Sequence, residues 1–239
     1  MRLVISAAAL LLAMAAPRAE AKCAGEWLDA LPAREVTLPP EPHVLVTLGG
    51  RLQKHDASKD LEWTAGAQRV AVKVVTSFDG YSQRVVLLKP ERVLQPVKWT
   101  LAFKKDPKLG DVAGRLLGAW IVGSAPDTAA PSLTGTPKVQ ETNWQEFGCG
   151  PGSTITLTGA GVSEAEAFIE AAVTVGGTTT VAVLAPKGEL VELGHGMCGG
   201  NFDLKPGAKA TVVLTPIDLA GNRGAKSAPL DFVAPGPKP

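Results

Sequence analysis

Leu204-Lys205-Pro206-Gly207, Ala210-Thr211-Val212-Val213-Leu214 and Asp218-Leu219-Ala220-Gly221-Asn222 form the stretch whose reading decides the fold. Proline has no N–H to give and clashes with a preceding helical turn, so the Leu-Lys-Pro-Gly segment is a corner and not helix interior. It feeds a run of aliphatic and β-branched residues that suit a pleated, half-buried surface. The run closes on an Asp/Gly/Asn cluster, and those residues favour turns. The reading is a core strand held between two corners. An echo lies earlier in the chain, where Leu94-Gln95-Pro96 leads into Trp99-Thr100-Leu101-Ala102-Phe103.

Working outward, short runs rich in Val, Leu, Ile and Thr recur between Gly, Pro and Asp, which is the pattern of an antiparallel sandwich. The first half predicts strands near Glu35–Leu38, His43–Leu48, Arg69–Ser77, Gln83–Leu88, Lys98–Phe103 and Arg115–Val122. Val70, Val72 and Val74 share one face while Arg69, Ala71 and Lys73 share the other, the alternation of a half-buried strand. Asp79-Gly80 reads as the tight turn between the third and fourth strands. The second half predicts Thr154–Thr158, Phe168–Val175, Thr178–Leu184, Asn201–Leu204, Ala210–Thr215 and Leu230–Val233, with Gly176-Gly177 as a hairpin. Glu and Ala in Ser163–Ala172 favour helix, but the Val-Thr-Val continuation and the glycine turn favour a strand.

A Leu-x-Pro-Gly corner, a core strand and an Asp-x-Ala-Gly-Asn ending resemble the bacterial immunoglobulin-like and fibronectin type III-like modules. Asp127-Thr128-Ala129-Ala130-Pro131 is similar to their lead-in. The resemblance covers 127–233 well and 22–123 less fully, because no Asp-x-Ala-Gly-Asn occurs there. It implies a fold and an exported setting, and no reaction. Ser124–Pro131, small, polar and proline-punctuated, divides the chain. The expected organisation is all-β: a signal peptide over 1–21, an immunoglobulin-like sandwich over 22–123, a linker over 124–131, and a second immunoglobulin- or fibronectin III-like sandwich over 132–239 with a short disordered tail. Few buried contacts are expected to cross the linker.

The export signal is itself legible. Arg2 gives a positive start, Leu3–Ala16 is apolar apart from Ser6, and Ala19-Glu20-Ala21 sets small residues where signal peptidase reads, so cleavage is expected after Ala21. The apolar run is too short to span a bilayer as a helix, and no later run is longer, so no transmembrane anchor is expected. Lys22 directly before Cys23 argues against a lipid anchor. Arg2, Arg18 and Glu20 leave with the signal, so the 24 basic and 23 acidic residues of the precursor become 22 and 22. A neutral chain without a basic cluster has no electrostatic footprint for nucleic acid or for an anionic membrane.

Cys23, Cys149 and Cys198 remain. Oxidation is the default outside the cytoplasm, and Cys149–Cys198 is the natural bridge within the second half, leaving Cys23 free, or pairing with one of them. His195-Gly196-Met197-Cys198 gathers imidazole, thioether and thiol, the donors of a soft ion such as copper(I), although a glycine-rich loop approaching a disulfide explains it as well. His43 and His55 have no ligand at metal-site spacing. Trp144 and Phe147, read as lying in a loop, offer aromatic surface to a glycan or a protein, or else fold over the sandwich end. Glu164, Glu166 and Glu170 read as a solvated face with nothing apolar to raise a carboxyl pKa.

No Gly-x-Ser-x-Gly, His-Glu-x-x-His, Ser-x-x-Lys or phosphate loop occurs. The expectation is therefore a non-catalytic structural or interaction module of the bacterial envelope, periplasmic or extracellular, without a cofactor, whose partner is an unknown protein or glycan. The alternatives are a glycan- or protein-binding module using the Trp144 segment, and a copper-binding protein using His195, Met197 and Cys198.

Overall fold

The computed structural model describes residues 25–32, 36–148, 150–164 and 166–237. The expected signal peptide over 1–21, Cys23, Cys149 and the extreme tail lie outside them. The described chain is all-β, with one four-residue helix, Ala57–Asp60, and short 3-10 turns beside it. Among the described residues no helix is long and apolar enough to cross a membrane.

The first half contributes β1 (Leu28–Leu31), β2 (Thr37–Leu38), β3 (Val44–Gly49), β4 (Leu61–Ala65), β5 (Gln68–Gly80), β6 (Gln83–Pro90), β7 (Lys98–Phe103) and β8 (Leu116–Val122). They join in the order β1-β3-β6-β5-β4-β7-β8-β2, antiparallel except for the short β2–β8 pair. Strand β5 makes the corner. Its first residues pair with β4, its later ones with β6, and the register shifts between Val74 and Thr76. A bulge bends and twists a strand, so one run of strands closes over one core. Trp63 and Trp120 meet there at 5.7 Å between ring centroids, with Trp99, Leu61, Leu101 and Phe103 packed beside them. Val70 and Val72 point into this core, as their alternation requires.

The second half contributes β9 (Lys138–Phe147), β10 (Gly150–Thr158), β11 (Phe168–Val175), β12 (Thr178–Leu184), β13 (Val191–His195), β14 (Lys209–Ile217) and β15 (Leu230–Val233). A three-stranded sheet, β13-β10-β9, faces a four-stranded one, β12-β11-β14-β15. Ile155 and Leu193 from one sheet pack with Ile169, Val212 and Leu214 from the other. Segment 168–172 is strand and not helix. Gly176 and Gly177 both hold positive φ, 55° and 84°, the conformation a two-residue hairpin demands.

Several expectations are corrected. β1, β4, β9 and β13 are strands beyond those the sequence predicts. Asn201–Leu204 is irregular, and it buries Phe202 and Leu204 without entering a ladder. The β5–β6 turn is Tyr81-Ser82, with Ser82 at φ 57°, because the ladder continues through Asp79 and Gly80.

The largest departure is between the halves. Ser124–Ala130 is exposed as expected, yet the two sides do not hang independently from it. Leu45 of β3 and Val85 and Leu87 of β6 form a buried cluster with Phe168, Val183 and Ile217 of the second half. On β3 and β6 one set of side chains enters the first core and the alternate set enters this seam, so both faces are covered. Backbone bonds flank it: His43 N–H donates to Leu219 O at 2.7 Å, and Tyr81 N–H to Gly200 O at 3.1 Å. Phe78 meets Phe202 at 5.6 Å. Gly221, at φ 85°, lets the Asp218–Asn222 turn close on His43, since a Cβ there would fall 2.2 Å from the ring.

Candidate functional site

Three loops converge where the linker enters the second half. Asp127 lies in the linker, Glu164 in the loop after β10, and Asp218 in the turn after β14. One carboxylate oxygen from each comes within 4.8 Å of the others. Asp218 is 1% exposed, and a buried carboxylate requires hydrogen-bond donors. Asn222 supplies them, its N–H at 2.8 Å and its Nδ2 at 2.7 Å. The same Nδ2 reaches Asp127 O at 3.1 Å and ties the linker to the turn. The linker carboxylate accepts from Ala129 N–H at 3.0 Å. Three carboxylates are the hard oxygen donors that a divalent cation such as calcium takes, although Asn222 already occupies part of Asp218.

Glu164 bears the cost of this gathering. Partial burial first, and then the charges of Asp218 and Asp127, raise its pKa above the usual glutamate value. The expectation of an unperturbed, solvated Glu164 is therefore corrected, because the perturbing charges come from loops distant in sequence. A raised folded pKa means that stability is full while Glu164 is protonated and declines as pH rises through the folded pKa. Glu164→Gln should accordingly raise Tm at pH 7 by about 1–2 °C and change little at pH 4, the effect being small because solvent screens the group. Melting curves at both pH values check this, and a lower Tm for the variant at pH 7 would contradict it. Glu170, by contrast, is ion-paired with Arg223.

The other singled-out residues separate. His43 is buried, and among the described residues its Nδ1 has no hydrogen-bond partner. Burial first, then Lys89, lowers its pKa, against smaller opposing effects of Asp218 and Glu41, which favours the neutral ring. His55 bonds to Asp60 Oδ2 at 3.0 Å. His195, on β13, is 5% exposed and stacks on Tyr81 at 4.5 Å and 19°. Its Nδ1 faces Gly196 O at 3.0 Å, and its Nε2 lies 3.8 Å from Asp203. Met197 is exposed.

Trp144 and Phe147 lie on a strand and not in a loop. β9 is the edge of its sheet and is exposed along nearly all its length. Trp144, opposite Ser153, is half-buried, and its Nε1 is covered with no hydrogen-bond partner among the described residues. Phe147 packs over Gly152, where a Cβ would lie 2.8 Å from the ring. Ser153 also stands opposite His195 on β13, so the start of β10 and the end of β13 share one end of the sheet.

No family model matches the chain, and no curated protein does. Among solved structures, a pullulanase from Anoxybacillus sp. LM18-11 aligns at 6% identity and TM-score 0.27, over 81% of this chain and 24% of that one. A β-1,2-glucanase from Parabacteroides distasonis aligns at 15% identity and TM-score 0.34, over 91% and 32%. A segment of two fibronectin type III domains from chicken tenascin aligns at 13% identity and TM-score 0.23, over 86% and 98%. The chain thus spans about a quarter of the pullulanase. The architecture rests on the strand pairing described above and not on these likenesses.

Proposed function

We propose that the chain is an exported, non-catalytic structural or interaction module of a bacterial envelope, two immunoglobulin-like sandwiches made into one body and acting in the periplasm or outside the cell. The observation that carries this reading is the apolar seam of Leu45, Val85 and Leu87 against Phe168, Val183 and Ile217. Apolar surface is spent on fixing one half against the other, which suits a part that holds its edges and loops in a set geometry. We infer a disulfide between Cys198 and Cys149, because the register of β10 against β13 brings the start of one strand and the end of the other, which lead to these two cysteines, to the same end of the sheet. A disulfide sulfur offers no thiolate, so this pairing disfavours the copper reading of His195, Met197 and Cys198.

The exposed β9 edge supports interaction along the strand, with the half-buried Trp144 and Phe147 beside the contact. A photo-crosslinker placed at Gln145 in living cells should join the mature protein, beginning at Lys22, to one envelope species, and Trp144→Asp should abolish the adduct. A crosslinking pattern identical to that from a probe at Val233 overturns the β9 reading. An acylated Cys23 at the mature terminus overturns the export reading.

A further inference from the structure

The outer face of the first half holds a cleft of about 540 Å³. Strand register builds it. Thr64 on β4 stands opposite Arg69 on β5 and Thr100 on β7, and Glu62 stands opposite Ala102, which in turn faces Leu116 on β8. Opposed residues share a face, and the alternate residues Leu61, Trp63, Leu101 and Phe103 fill the core behind. Ala102 and Gly114 are too short to fill the outer surface, while Arg69, Lys104, Lys105 and Leu116 rise around them, which makes the depression.

The cleft asks for a particular chemistry. The Thr64 and Thr100 hydroxyls lie 2.5 Å apart, and Thr100 also donates to Thr64 O at 3.2 Å. Their two protons are thus committed to each other and to the backbone, so what they offer a ligand is lone pairs that accept from its O–H groups. Of the charged groups, Glu62 faces Arg69 at 3.8 Å, and Asp106 accepts from Lys108 N–H at 2.9 Å. Lys104 and Lys105 form no ion pair among the described residues, and Arg69, Lys104 and Lys105 against Glu62 and Asp106 leave the lining with one net positive charge, its two ammonium donors beside the hydroxyls. Leu116, 47% exposed, adds an apolar wall. A ligand that complements all three carries hydroxyl donors, an anionic group and C–H faces.

We propose that this cleft binds a polysaccharide containing uronic acid residues. Lys104 and Lys105 meet the sugar carboxylates, the threonine pair accepts sugar hydroxyls, and Leu116 lies against a ring. A polyphosphate would satisfy the lysines only, and a neutral glucan the threonines and leucine only. The site is separate from β9, so its failure would leave the crosslinking result untouched.

Calorimetry of the full mature chain at low ionic strength, with polygalacturonate oligomers, polyphosphate and a neutral maltooligosaccharide as probes, tests it. Binding is expected for the uronate, at least tenfold tighter than for either of the others, and should weaken as salt screens the lysines. The double variant K104Q/K105Q, altered at solvent-facing positions, should lose at least tenfold in uronate affinity. Thr64→Val, checked by circular dichroism for an unchanged fold, should weaken uronate and leave polyphosphate unaffected. Failure to bind the uronate, binding that survives K104Q/K105Q, or equal affinity for polyphosphate overturns the proposal.

Discussion

Phe168→Ala should destabilise the entire chain by about 3–5 kcal/mol, and both halves should lose structure in a single transition. The ring is 1% exposed and fills the seam between Leu45, Val85, Leu87, Val183 and Ile217. Truncating a buried phenylalanine costs its transfer free energy plus that of the cavity left behind. The coupling has an internal reporter. Trp63, Trp99 and Trp120 are all buried in the first half, while Phe168 belongs to the second. With Trp144→Phe as background, tryptophan fluorescence follows the first core almost alone. If the seam couples the halves, the alanine substitution shifts the fluorescence midpoint in urea together with that of far-UV circular dichroism. A fluorescence midpoint that stays in place would mean independent units, as the exposed linker by itself suggests.

That seam was partly written in the sequence. Val44-Leu45-Val46 and Val85-Val86-Leu87-Leu88 do not alternate, and an unbroken apolar run is the mark of a strand covered on both faces. Val70, Val72 and Val74, separated by Arg69, Ala71 and Lys73, show the one-sided pattern for contrast. What the runs could not name was the second cover. Phe168 and Ile217, opposite one another on β11 and β14, carry no local sign that they face another half.

The missed strands have physical reasons of their own. β9, Lys138–Phe147, is polar on both faces because it is an exposed edge, so no hydrophobic period marks it. β13 is interrupted by Gly194, at φ 103°. β4 alternates cleanly as Leu61-Glu62-Trp63-Thr64-Ala65, but only over five residues that follow a charged, capped turn. Asn201–Leu204 departs in the other direction: Phe202 and Leu204 anchor the core from irregular chain, because an apolar side chain can be buried without its backbone joining a ladder. Asp127 and Asp218 each sat in a recognisable motif, the lead-in and the Asp-x-Ala-Gly-Asn turn. No spacing rule joins residues so far apart in sequence, and Glu164 between them looked solvated until the loops converged.

The cysteine pairing carries the other large effect. β10 and β13 run antiparallel with Ser153 opposite His195, so the start of β10, still paired with β9, and the chain after His195 lie at the same end of the sheet. A bridge from Cys149 to Cys198 would close that end and restrict the unfolded chain by about 4 kcal/mol on the loop-entropy account. The loop it holds is the one the first half grips, through Tyr81 N–H on Gly200 O and the Tyr81 ring on His195. Reduction should therefore lower the urea midpoint sharply, and Cys198→Ser should do the same without reductant. Mass spectrometry of the unreduced tryptic digest should show the peptides of Cys149 and Cys198 joined. If instead both are alkylated in native exported protein, and copper(I) binds in a manner that His195→Ala removes, the loop is a metal site and the pairing is wrong. A Cys23–Cys198 peptide would give a different reading again, with the bridge clamping the amino-terminal segment beside Trp27, whose ring a Cβ at Gly199 would approach to 3.3 Å. Cys149→Ser separates the two bridges, since it destabilises the first and leaves the second intact.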